Sequence, residues 1–273
     1  MNFSFKSLNN LAGWITFGIA AIVLGLAAEP TGSLWDCGEF ISGAYKLQVV
    51  HPPGAPIFLI VGRLFAWVGS MLSSDPANIA YSVNLLSAIC TAFTGLFVCW
   101  STSILARLIL VGRETDPVGS QAFVAVGAGV VAGLSAAFTS SIWFSAVEGE
   151  VYAMSTFFTA MTLWATLKWY NLPDKPEADR WLVFAFFSTA LSIGVHLLSL
   201  LTFPALAMFY YFKKSKQPTV WGTLIAAGVG MAFIIAIQKF IIAGIPSMWA
   251  FFDKMMVNSF GLPFYTGIIP VML

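Results

Sequence analysis

The sequence predicts an all-α polytopic membrane protein with helices lying along the membrane surface in its first outer loop. Three observations predict it. Hydrophobic residues make up 59% of the 273 positions and charged residues only 9%, against roughly 45–50% apolar in soluble domains. Apolar blocks recur at 11–28, 55–72, 78–110, 121–143, 150–170, 181–212 and 218–243, close to or beyond the about 20 residues a spanning helix needs. The ionisable residues that remain gather between these blocks, most densely from Ser33 to Pro56.

The first block, 11–28, is long for a signal-peptide core, and Glu29-Pro30 is a poor cleavage site, so it reads as a retained first helix. The second block decides the topology. If 55–72 spans, eight cations from Arg107 to Lys216 lie outside. If it does not, nine of the 13 Lys and Arg, including Lys6, lie inside, with Lys46, Arg63, Lys239 and Lys254 outside. The second arrangement obeys the positive-inside rule. The region 29–76 is then one outer loop, with 55–72 lying in the interface or dipping into it. Pro52, Pro53 and Pro56 interrupt its entry. Arg63, in the middle of that helix, is costly at the bilayer centre but snorkels at its surface.

The block 181–212 is too long for one span and short for two. Cations at both ends favour a hairpin of short helices turning near 192–197, with His196 at the turn; a single tilted helix is the alternative. Helix 78–110 then returns inward and 121–143 leads out to Glu148 and Glu150. Segment 244–262 reads as an outer amphipathic stretch, and Thr266 to Leu273 as the start of another span. The whole, 1–273, reads as one transmembrane module forming the N-terminal part of a longer protein.

Read as a helix, Ser33 to Gln48 places Asp36, Glu39, Gly43 and Lys46 at spacings of 3, 4 and 3, on one face. Solvated acids are the plain reading. Trp35 and Cys37 flank Asp36, and Gly38 leaves room for a ligand, which favours a site. His51-Pro52-Pro53-Gly54 makes a rigid corner that serves as a turn or presents His51 to a ligand. Glu148 and Glu150 reach the same surface, where acids at membrane depth are expensive and usually functional. His196 among aliphatic neighbours is either a satisfied core residue or a second cavity histidine.

The net charge of +1 offers no basic stripe, so no nucleic-acid partner is expected. Cys37, Cys90 and Cys99 lack metal spacing and read as free buried thiols. No HExxH or CxxC motif, P-loop or dinucleotide fingerprint is present, and no cofactor is predicted, with a divalent metal left open. Carboxylates beside scattered cations at an outer membrane surface suit sugar transfer from a lipid phosphate. A carboxylate takes the acceptor's proton, the sugar carbon gains oxocarbenium character, and cationic or N–H donors hold the departing phosphate.

The segments WDCGEFISGAYKLQVVHPPGAP, WFSAVEGEVYAM and LSIGVHLLSL together resemble the family 117 membrane glycosyltransferases of Bacteroidota. These belong to the GT-C superfamily and are related to protein O-mannosyltransferases. The resemblance implies a GT-C-like helical module with juxtamembrane helices in the first outer loop and a polyprenyl-phosphate-linked sugar donor. It also implies a protein acceptor, and a bacterial inner membrane with the site facing the periplasm. It maps the catalytic acid to Asp36 and a supporting role to Glu39. Lys46, His51, Arg63 and His196 are then candidates for the phosphate, and Glu148 and Glu150 for sugar or acceptor, in an inverting transfer to a Ser or Thr hydroxyl. The competing readings are a lipid-linked sugar flippase and a non-catalytic subunit of a membrane complex.

Overall fold

The computed structural model describes residues 4–273; the first three positions of the N-terminal stretch lie outside the described residues. Among the described residues every regular element is helical. The chain divides into two compact units at Thr202, and the candidate site residues all lie in the first.

Helix α1, Phe5–Ala27, begins where the Ser4 side chain accepts the Ser7 N–H. Its buried residues, Phe5, Asn9, Ala12, Thr16, Ala20 and Leu24, recur at three- and four-residue spacing and form one stripe. After the outer connection with α2, Cys37–Lys46, and α3, Pro56–Leu72, comes α4, Pro76–Val111. Asp75 caps α4 by accepting the Ala77 N–H at 2.9 Å, and Pro76 supplies the fixed φ of a first turn. With 36 residues, α4 runs about 54 Å at 1.5 Å per residue. It is the central post, packed by α1, α3, α5 and α7.

Helix α5, Ser120–Phe138, lies on α4 through glycines four residues apart. A Cβ at Gly129 would stand 2.6 Å from the Cys99 carbonyl oxygen, and one at Gly133 2.5 Å from that of Gly95. Only hydrogen fits there, the close backbone approach typical of helices packing in lipid. The block expected to run to 143 instead breaks at Thr139, whose hydroxyl bonds back to the Ser135 carbonyl at 2.6 Å. A short helix, α6, Ser140–Ala146, follows.

Among the described residues, four helical stretches are long and apolar enough to cross a membrane: Phe5–Ala27, Pro76–Val111, Ser120–Phe138 and Val220–Phe260. The expected span 150–170 forms α7, Val151–Asn171, but is not among them. Its Ser155, Thr162 and Thr166 are buried, and Thr162 meets Thr189 across the packing with α8 at 3.4 Å. That polarity faces neighbouring helices, where it lowers the hydropathy of α7 without meeting lipid. The block 181–212 is not a single helix. Helix α8, Pro176–Ile193, stops at Gly194, inside the turn expected at 192–197, and a 3₁₀ turn follows at Leu197–Thr202.

Helix α3 has 17 residues, about 26 Å of helix against a hydrocarbon core of about 30 Å. It buries Phe58, Leu59, Gly62, Ala66 and Gly69 against α2 and α4 and leaves Ile60, Leu64, Trp67 and Met71 exposed.

In the second unit, α9, Phe203–Lys214, packs on α10, Val220–Ala236. A Cβ at Gly230 would stand 2.4 Å from the Pro204 Cα. Helix α10 does not end where the outer stretch 244–262 was expected to begin. A π-helical turn at Ile237–Ile242 carries it into α11, Gly244–Phe260. Pro246, in the first turn of α11, has no N–H for the Ile242 carbonyl four residues back, and the wider turn before it is closed by Ala243 N–H to the Gln238 carbonyl at 3.1 Å. A short α12, Ile268–Met272, packs on α11.

Candidate active site

The site rests on the packed base of the first unit. Phe40 and Ala44 of α2, Val50, Phe58 and Leu59 around α3, Val83 and Leu86 of α4, Met154 of α7 and Val195 form one buried cluster. Burying each large member is worth roughly 1.5–3 kcal/mol, so five separated segments are locked together beneath one surface. Two backbone features bring them to it. The Ile57 N–H donates to the Gly194 carbonyl at 2.9 Å, fastening the α8 break to the start of α3. Gly149 passes so close to α2 and α4 that a Cβ there would meet Ile41 and Asn84 at 3.1 and 3.2 Å.

The expected helix from Ser33 to Gln48 is shorter. It starts at Cys37, and Asp36 is its N-cap residue with no side-chain capping bond. Its carboxylate is thus not consumed by the helix. Nor is the expected polar face intact. Gly43 is buried, and a Cβ there would stand 2.8 Å from Val50, because the chain folds back over that side after a left-handed turn at Leu47.

Glu39 grips His51 twice. Its carboxylate accepts the His51 backbone N–H at 2.7 Å and Nδ1–H at 2.8 Å. The imidazole is thereby fixed with Nε2 turned to Asp36, 4.0 Å from Oδ2. The His51 hydrogen bonds hold the Glu39 carboxyl below its ordinary 4.5. The same bond to Glu39, reinforced by the charges of Glu39, Asp36 and Glu150, holds His51 above 6.5 against partial desolvation. The pair is therefore ionised between a point below 4.5 and a point above 6.5.

Asp36, Phe40, His51, Glu150, Tyr152 and His196 line one cleft of about 50 Å3, a subsite beside typical ligand pockets of roughly 300–1,000 Å3. Glu150 is 6% exposed. Burial, with the Glu148 and Asp36 charges, pushes its carboxyl up to about 7, opposed by the Val151 backbone N–H and His51. His196 Nδ1 accepts the Leu198 N–H at 3.2 Å. That bond assigns the ring proton to Nε2, a donor for an anionic oxygen. The Tyr152 ring lies 5.0 Å from the His196 ring.

Four expected site residues lie apart from this cleft's lining: Glu39, which acts on it through His51, and Arg63, Lys46 and Glu148. Arg63 donates to the Tyr45 carbonyl near the end of α2, with its guanidinium 5.2 Å over the Tyr45 ring. Lys46 is exposed in the last turn of α2. Glu148 accepts the Ser33 hydroxyl and acts on the cleft through its charge on Glu150. Cys37 is a buried free thiol, as are Cys90 and Cys99.

Sequence reasoning missed Tyr152 and Asn84. Asn84, fully buried in α4, donates to the Glu29 and Thr31 carbonyls at 2.6 and 2.9 Å and accepts from the Cys37 thiol. An amide inside a 36-residue apolar helix was the available signal, since polar groups at that depth are seldom idle.

The chain has two histidines, so ¹⁵N-histidine labelling yields two resolvable imidazoles. His51 is expected to titrate above 6.5 and to fall back towards it in Glu39→Gln, while His196 keeps its own midpoint. An unchanged His51 midpoint in that variant would refute the Glu39 grip.

Three comparisons bear on this site. The family model described as protein O-mannosyl-transferase TMEM260 N-terminal domain matches residues 36–219, a span that begins at Asp36 and includes His51, Glu150 and His196. The chain is 21% identical over 239 residues to a Dictyostelium discoideum protein named protein O-mannosyl-transferase tmem260, covering 84% of this chain and 26% of that one. It is 27% identical over 158 residues to a Mus musculus protein named protein O-mannosyl-transferase TMEM260, covering 58% and 19%. The matched region thus spans about a quarter or less of these relatives. No solved structure matches the chain.

Proposed function

The chain belongs to the protein O-mannosyl-transferase TMEM260 N-terminal domain family, and on that premise we propose that it carries the active site of a GT-C-type glycosyltransferase. The reaction proposed moves a sugar, mannose by analogy with the relatives' names, from a polyprenyl-phosphate donor to a Ser or Thr hydroxyl of a protein. The proposed setting is the outer, periplasmic face of a bacterial inner membrane. One observation carries this reading: Asp36, His51, Glu150 and His196, from segments far apart in sequence, line a single cleft.

Each group has a task in such a transfer. The acceptor O–H attacks the anomeric carbon, its proton passes to the uncapped Asp36 carboxylate, and the carbon–oxygen bond to phosphate breaks with its electron pair leaving on phosphate. Attack opposite the leaving group inverts the anomeric centre. His51, held cationic by Glu39, and the His196 Nε2–H are the donors for the departing phosphate. To Glu150 falls the sugar or an acceptor hydroxyl in this proposal.

The surroundings suit a lipid-borne donor. An apolar groove of about 420 Å3 lies next to the cleft and shares Pro53, Gly54 and Ala55 with it, its other walls including Leu47, Val50, Leu59 and Ile60. Leu34 and Trp35, just before Asp36 in the chain, and Val49, shortly before His51, are exposed, side chains suited to a membrane interface. A polar cleft beside an apolar groove matches a phosphosugar on a prenyl chain.

The test is transfer itself. Membranes containing the protein are given polyprenyl-phosphate [³H]mannose and a Ser/Thr-rich acceptor protein. Label released from the acceptor by β-elimination is expected. Label that crosses the membrane on its lipid, with none on protein, would overturn the reading in favour of a flippase.

A further inference from the structure

We propose that Asn84 is a positioning residue for the transfer. With Ser87, one turn on and on the same side of α4, it fastens down the two segments that carry Asp36 and Glu150 and so sets the spacing of those carboxylates. The tasks of the two acids rest on the transfer reading; their anchoring is a matter of geometry.

Asp36 has little of its own to hold it. Its side chain is 57% exposed and makes no capping bond. It follows Trp35, whose φ is +61°, a left-handed conformation that a residue with a side chain enters at a cost and keeps only where its surroundings enforce it. Asn84 supplies that enforcement from both sides of Asp36. Before it in the chain, Nδ2 donates to the Glu29 carbonyl at 2.6 Å and to the Thr31 carbonyl at 2.9 Å. After it, Oδ1 accepts the Cys37 thiol at 3.8 Å. A carboxamide offers two donor hydrogens and one acceptor oxygen, and here all three functions serve one loop. Asn84 and Cys37 are both fully buried, so water is not at hand to replace these bonds.

Glu150 is held on the same scaffold. The Ser87 hydroxyl donates to the Glu150 carbonyl and accepts the Glu150 N–H, each at 3.4 Å, two long bonds that act on one residue. A Cβ at Gly149 would stand 3.2 Å from Asn84 Oδ1, so the chain before Glu150 passes directly over the carboxamide. The two segments are also tied to each other. The Glu29 N–H donates to the Val147 carbonyl at 2.8 Å, and the Ser33 hydroxyl donates to Glu148. A change at Asn84 therefore reaches both acids. Catalytic groups need holding to within roughly 0.5 Å, and a misplacement of about 1 Å costs about 10²-fold in rate.

The experiment follows hydrogen exchange by mass spectrometry on the chain in lipid nanodiscs, and then transfer kinetics. Asn84→Asp keeps the shape and the acceptor for Cys37 but loses the N–H donors; Asn84→Leu loses all three functions. Thr94→Val is the control for losing a buried hydrogen bond of α4, because Thr94 donates within its own helix, to the Cys90 carbonyl at 3.1 Å. Both Asn84 variants are expected to exchange about tenfold or more faster over 29–37 and 147–151, and Ser87→Ala over 147–151 alone. Thr94→Val should leave both segments unchanged. In transfer, Asn84→Asp should lose about 10²-fold in kcat and keep the donor KM within about twofold, since the apolar groove includes none of the residues Asn84 holds.

Circular dichroism confirms that each variant is folded; if both Asn84 variants misfold, Ser87→Ala carries the test at 147–151 and in kcat. Unchanged exchange over 29–37 in a folded Asn84 variant overturns the proposal. So does equal acceleration by Thr94→Val, which would mark a general loosening of α4, and so does a raised KM with kcat intact. Exchange needs no sugar donor. A wild-type chain that transfers nothing would end the transfer reading and with it the catalytic role of Asn84, while the exchange data still decide whether Asn84 anchors the two acids.

Discussion

Asp36→Asn is expected to lower the transfer rate by about 10²–10⁴-fold, the range for removing a positioned general base. Asparagine keeps the shape and can still occupy an N-cap, so α2 should remain intact and protein levels normal. Little stability is at stake, because the aspartate makes no capping bond. Donor affinity should change little, since the groove of Leu47, Leu59 and Ile60 is untouched; the loss should appear in kcat. Glu39→Gln is expected to do less, because Glu39 acts by holding His51 and does not line the cleft. Undiminished transfer in Asp36→Asn would end the assignment of the base to this residue and transfer attention to Glu150, the other carboxylate of the cleft.

Much of this arrangement was legible in the apolar runs. A run of apolar residues fixes where a helix lies, because the backbone of a spanning segment must satisfy its own hydrogen bonds. Helices α1, α4 and α7 accordingly fall within a few residues of 11–28 (offset at its N-terminus), 78–110 and 150–170. The break near His196 followed from a length that fits neither one span nor two. Other features depend on what touches what, which periodicity does not carry. Lys46 and Glu39 share a helix side, yet the returning chain at Val50 covers Gly43 between them. Arg63 stood as an anion ligand on charge alone and is turned to the Tyr45 carbonyl. The join of α10 to α11 was hidden because glycine and proline usually end helices, whereas here a π turn leads directly into α11. Asp36 and Glu39 were recognisable as a pair; that Glu39 belongs to His51 required the corner at Pro52 and Pro53 to be folded.

Glu150→Gln is expected to stabilise the protein at pH 8, to stabilise it far less at pH 5, and to impair transfer at both. The sign follows from the raised carboxyl. Glu150 loses its proton at about 7 in the folded chain against an ordinary 4.5. Between those values an unfolded chain ionises while the folded one keeps its proton, so stability falls across that window and stays lower above it. At 1.36 kcal/mol per pKa unit the full cost is about 3 kcal/mol as an upper bound, since a cleft open to water recovers part of it. Glutamine carries no charge to desolvate, so the variant escapes the cost wherever the unfolded wild type is ionised. In melting temperature this is a gain of roughly 5 °C at pH 8. An equal gain at pH 5 and pH 8 would show that the effect comes from packing, and would sink the account of Glu150 as a carboxylate strained by burial and by its acidic neighbours. A pH-dependent gain joined to lost transfer would mean that the fold tolerates a weakened spot because the reaction needs a carboxylate there. Glu150 occupies that spot because Gly149 lets the loop before α7 press against α2 and α4, so the placement of this acid depends on a residue with no side chain of its own.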